Sequence, residues 1–164
     1  MVKHMDGSSK QLLKDCQVEI DDIKRWIAEN KFHSNTRYLT AYAVVKASGT
    51  IEYVLKQMIF DRLSKGTSEE TNNFLSKSIV EASYNPSTGQ IIRILQKINS
   101  EWKERFELTI RSTKEKGQLN SLVELRNNFA HGSPITASIN DVNTYFNAGI
   151  VILERLWNIL NPNE

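Results

Sequence analysis

The chain has a single cysteine, Cys16, in 164 residues. One thiol cannot form an internal disulfide, and its use suits a reducing compartment. Its apolar neighbours mark Cys16 as core rather than nucleophile. No apolar run reaches the ~20 residues of a membrane span, and the N-terminus carries no signal-peptide hydrophobic region. The expected setting is therefore soluble and cytoplasmic, with no membrane. Three histidines stand far apart, which gives little support for a metal site. No glycine-rich phosphate loop, Cys/His metal spacing or Gly-x-Ser-x-Gly elbow is present. Strand-like alternation, internal repeats and low-complexity tracts are also missing.

What is present is ordinary for one globular domain. Hydrophobic residues make up 40% and charged residues 24%, with a net charge of +2. That small excess decides nothing about nucleic acid, which needs a local basic surface. Residues 1–9 read as a disordered leader, in part of the kind that cloning adds, and 10–164 as a single domain.

Apolar residues recur at helical spacing throughout. Leu13, Cys16, Ile20, Ile23 and Ile27 predict a helix over about 10–30. A second, from Ser34 or Asn35 to Leu63, is apolar on most sides and reads as central. Shorter helices are expected over 69–82, over 87–99, and from a Ser100 cap to about Arg111, the last two either separate or one bent helix. Arg111–Gly117 reads as a basic loop, either a solvated connection or a contact for RNA backbone. The final helix starts at Ser138, with Asp141 as its capping-box partner, and ends near Leu160 before Pro162. The fold class is all-α: an up-and-down bundle of four main helices with one or two shorter ones.

One stretch carries chemistry. Residues 125–132 read Leu-Arg-Asn-Asn-Phe-Ala-His-Gly. They close a helix running from about Gln118 to Ala130, with Gly132 placed to stop it and Pro134 to prevent its resuming. Arg126 offers a planar, permanently charged fork that matches phosphate oxygens. His131 can give or take a proton near neutral pH. Asn127 can orient a ribose hydroxyl or the guanidinium. On a regular helix, five positions leave Arg126 and His131 roughly 140° apart. Either the backbone unwinds before His131 or a second chain completes the site.

A further candidate lies on the second helix. Val45, Glu52 and Ile59 are seven apart, so Glu52 projects along an otherwise apolar row. A carboxylate there needs a partner, and Arg126 is the expected one. The alternatives are that Glu52 reaches solvent or makes a purely structural ion pair.

Arg126, Asn127, a spacer, then Ala-His-Gly on a helix end resembles the motif of the HEPN superfamily. The type is its Arg-x4-His ribonucleases, similar to the RiboL-PSP-HEPN and MAE-like groups. The resemblance implies a helical domain and a metal-independent endoribonuclease with no cofactor. Its catalytic residues would be Arg126, Asn127, His131 and Glu52. It also implies a homodimer in which both motifs line one cleft, an RNA substrate, and a toxin or antiviral-defence setting with an antitoxin or defence-system partner. The rival expectation is a non-catalytic dimerisation or RNA-binding module.

Overall fold

The stripe Leu13, Cys16 and Ile20 is buried along one side of the first helix, as its spacing requires. The computed structural model describes Met5 and residues 7–162. Among these residues there are seven helices and no strand. They are α1 (Gly7–Glu29), α2 (Thr36–Ser64), α3 (Glu69–Leu75, running into a π-helical turn at Ser76–Val80), α4 (Thr88–Ile98), α5 (Ser100–Ile110), α6 (Lys114–Ala130) and α7 (Ile139–Leu160). The chain is an all-α helical bundle, with three short helices where one or two were expected. The break between α4 and α5 has a local cause. Asn99 is in extended conformation, and its side-chain oxygen accepts from the Trp102 N–H at 3.1 Å, so Asn99 rather than Ser100 caps α5.

Two other boundaries differ from expectation. The expected disorder of residues 1–9 does not extend over their last three positions. Gly7–Ser9 form the first turn of α1, and Met5 is buried against the core; residues 1–4 and 6 lie outside the described residues. The expected basic loop at 111–117 is mostly helix, because Thr113 is extended and α6 starts at Lys114. At the last helix the expectation holds. Ser138 and Asp141 form a reciprocal capping box, with Ser138 N–H to Asp141 Oδ2 at 2.9 Å and Asp141 N–H to Ser138 Oγ at 3.2 Å.

α2 is the element the others surround. Val44, Ala47, Ile51, Val54, Leu55, Met58 and Ile59 are buried. It is not apolar all round in the buried sense, however. Tyr38, Tyr42, Val45 and Tyr53 remain exposed on its outer side.

Specific contacts fix how the helices run. A methyl group on Gly149 of α7 would lie 2.8 Å from Ile51 Cδ1 of α2 and 3.4 Å from Leu119 Cδ1 of α6. Eleven residues further along both α7 and α2, Arg62 Nε donates to the Leu160 carbonyl at 2.7 Å. Equal spacing between two contacts means that α2 and α7 run in the same direction. α6 returns to α7 through the connection at 131–138 and runs opposite to it. α1 runs opposite to α2, with Glu19 bonded to Tyr42 Oη at 2.7 Å and Lys46 Nζ at 2.8 Å. The C-terminal ends of α1 and α6 and the N-terminal ends of α2 and α7 therefore share one end of the bundle.

Candidate active site

That shared end is where the Arg-Asn…His stretch arrives. Leu119, Leu122 and Val123 of α6 are buried. Arg126 stands seven residues after Leu119, on the same side of the helix. Arg126 is half-buried, and its Nη1 donates to the Asn127 side-chain oxygen at 3.3 Å. Asn127 thus holds the arginine fork, one of the two roles expected of it.

His131 is the C-cap residue that follows the last helical position, Ala130, and is exposed. Its own N–H bonds back to the Asn127 and Asn128 carbonyls at 3.1 and 3.2 Å. The next two residues close the helix. Gly132 N–H donates to the Phe129 carbonyl at 3.0 Å, and Ser133 N–H to the Asn128 carbonyl at 2.9 Å. This pair of bonds is a Schellman closure, and it requires Gly132 at φ +86°, where a side chain would be strained. The glycine after the histidine therefore has a physical reason. The helix stays regular through Ala130, so Arg126 and His131 point in directions about 140° apart. No hydrogen bond joins their side chains. Arg126 is half-buried, and His131 is exposed to solvent.

Glu52 is not part of this group. The expected Glu52–Arg126 pair does not form; Glu52 Oε1 binds Lys56 Nζ at 2.7 Å, four residues on along the same helix. Register is the reason. Ile51 and Leu119 meet at Gly149, so Glu52 stands level with the first half of α6. Arg126 lies two turns further, roughly 10 Å along the axis. Lys56 Nζ also donates to the Ala82 carbonyl at 2.6 Å and sits 4.7 Å above the Tyr84 ring. Burial, with the nearby Glu52 charge adding to it, pushes the Tyr84 hydroxyl up to about 12. This cluster ties the α3–α4 connection to α2. Glu52 thus makes an ion pair within α2 and not one with Arg126.

Cys16 is fully buried as a free thiol, and burial raises its pKa. No three His, Cys, Asp or Glu side chains converge among the described residues. No helix among them is long and apolar enough to cross a membrane.

A polar groove of about 420 Å³ runs beside the stretch, between α6 and α7, lined in part by Glu124, Leu125, Asn128, Asp141 and Tyr145. Neither Arg126 nor His131 lines it. Its charged residues are two carboxylates, which does not suit a polyanion.

The family model for RiboL-PSP-HEPN matches residues 8–161. The chain belongs to the RiboL-PSP-HEPN family. That family is one of predicted ribonucleases, and its members' typical substrate class is RNA. No curated protein and no solved structure matches the chain. The match covers α1 to α7 whole apart from Gly7, so it includes the middle of the HEPN domain, which the Arg-x4-His pattern leaves unaligned. Sequence reasoning about this HEPN chain missed Lys56 and Tyr84. Lys56 lies four residues from Glu52, a spacing that signals an ion pair within one helix.

Proposed function

We propose that this HEPN domain is a metal-independent endoribonuclease that works as a homodimer. The observation that carries this reading is the placing of Arg126, Asn127 and His131 at a glycine-closed helix end, in a chain matched to the family over nearly its whole length. Arg126 and His131 diverge within one chain. A second copy set against the first would supply the missing group from the other side, giving a composite cleft.

In that cleft the chemistry balances without a cofactor. His131 of one copy takes the proton of the ribose 2′-hydroxyl as its oxygen attacks the adjacent phosphorus. The bond from phosphorus to the 5′-oxygen breaks, and His131 of the second copy protonates the departing oxygen. Arg126, its fork held by Asn127, stabilises the charge that builds on the phosphoryl oxygens. The products are a 2′,3′-cyclic phosphate and a 5′-hydroxyl. Glu52 takes no part from within the same chain. A toxin or antiviral-defence role, with an antitoxin or defence-system partner, is the setting this activity fits.

The second reading is a non-catalytic dimerisation or RNA-binding module. The absence of a hydrogen bond between Arg126 and His131 in one chain favours it. Product ends distinguish the two. Incubation of cellular RNA with the purified protein in EDTA should yield fragments bearing cyclic phosphate and 5′-hydroxyl ends. Fragments with 5′-phosphate and 3′-hydroxyl ends, or cutting that requires added magnesium, would contradict this mechanism.

A further inference from the structure

The α1–α2 turn lies at the same end of the bundle as His131, and it presents aromatic rings to solvent. Phe32 is exposed at 103% and Tyr38 at 60%. The turn is nonetheless held in place. Trp26 stands edge-on to His33 with ring centres 5.3 Å apart, and His33 Nδ1 accepts from the Asn35 N–H at 3.1 Å. The Arg37 guanidinium lies 4.6 Å over the Tyr38 ring and donates to its hydroxyl at 2.7 Å.

Cations stand along the turn and the start of α2, bordered by Glu29 at the end of α1 and by Asp141 in the first turn of α7. From Asn30 to Ile51 the chain carries Lys31, Arg37 and Lys46 and no carboxylate, and the facing segment from Ala130 to Asn140 has none either. Lys46 is engaged by Glu19, while Lys31 and Arg37 have no acidic partner among the described residues. The groove between α6 and α7, with its Glu124 and Asp141, is the opposite case.

We infer that Phe32 and Tyr38, flanked by Lys31 and Arg37, form a stacking platform for unpaired bases of single-stranded RNA on its way to His131. Every base has a π face, so stacking on such rings is tolerant of sequence. The guanidinium over Tyr38 extends the flat surface, and the two cations neutralise backbone phosphates. A duplex keeps its bases in its own stack and offers none to Phe32. The platform rests on the ribonuclease reading for the identity of its ligand.

The test is fluorescence anisotropy in EDTA with a labelled single-stranded RNA of about twelve nucleotides and its blunt duplex. The protein carries His131→Ala so that the RNA survives. Adding Phe32→Ala should weaken single-strand binding about tenfold and leave duplex binding, melting temperature and salt dependence unchanged. Phe32→Trp should restore the affinity. Arg37→Ala should lower the salt slope by about one. Equal single-strand affinity with and without Phe32, or a duplex bound as tightly as the single strand, would overturn the platform. Cleavage by the wild type separates the two ideas. Cutting with no role for Phe32 in binding removes the platform alone. Phe32-dependent binding without cutting upholds the platform and removes the nuclease.

Discussion

Gly132 decides how the chain leaves the helix after His131. Its φ of +86° places the Gly132 and Ser133 N–H groups on the last free carbonyls of α6. Gly132→Ala forces a side chain into the left-handed region, at a cost of about 1–2 kcal/mol. Chemical denaturation should show that loss, and cleavage should fall by more than the unfolded fraction explains, because His131 is redirected. The presence of glycine here was legible in the sequence as a helix stop. The divergence of Arg126 and His131 was legible too, from helical geometry alone. The partner of Glu52 was not. A seven-residue row shows that a carboxylate projects along an apolar row, but not that Val45 in that row is exposed, nor which part of α6 lies opposite. Lys56 is within reach because it stands four residues on along α2, and the register set by Gly149 leaves Arg126 two turns away.

At the scale of elements, α7 tests the capping argument. Ser138 and Asp141 satisfy N–H groups that the first turn of α7 would otherwise leave open. Ser138→Ala should cost about 1 kcal/mol, read as a lowered denaturation midpoint with unchanged slope. The Ser138 hydroxyl and N–H hold the Asp141 carboxyl below its ordinary range. A carboxyl depressed by folding contributes fully above its unfolded value. That contribution is lost as pH falls through the folded value, so the Ser138→Ala deficit should shrink at acid pH. A long apolar stripe made α1 readable in advance, apolar residues on most sides made α2 so, and a stripe with a capping box made α7 so. α4 and α5 merged ambiguously because Asn99 and Ser100 are both cap formers, and only backbone conformation chooses between them. The exposed ridge on α2 escaped because periodicity identifies apolar positions without telling which of them meet a neighbour.

For the whole molecule, the point where three helices meet sets the frame that carries the HEPN site. Gly149 lets α7 approach Ile51 and Leu119. Gly149→Ala gains helix propensity of up to about 1 kcal/mol, but its methyl meets Ile51 in a filled core, where overpacking costs about 1–3 kcal/mol. The substitution should destabilise the wild type and cost less in an Ile51→Val background, a coupling that a double-mutant cycle measures. The same frame brings the ends of α1, α2, α6 and α7 together, which places the Arg126–His131 stretch at the same end of the bundle as Lys31 and Arg37. An all-α class, and the placing of the Arg-Asn…His stretch at a helix end, were readable from the sequence. The proposed composite cleft rests on the divergence of the two side chains, which the regular helix through Ala130 keeps. The most direct measurement compares RNA cleavage in EDTA by the wild type and by His131→Ala, each checked for fold and for dimer mass. Loss of cleavage in His131→Ala with both retained is the predicted result. Equal cleavage by the two proteins would place the activity elsewhere and contradict the assignment of His131.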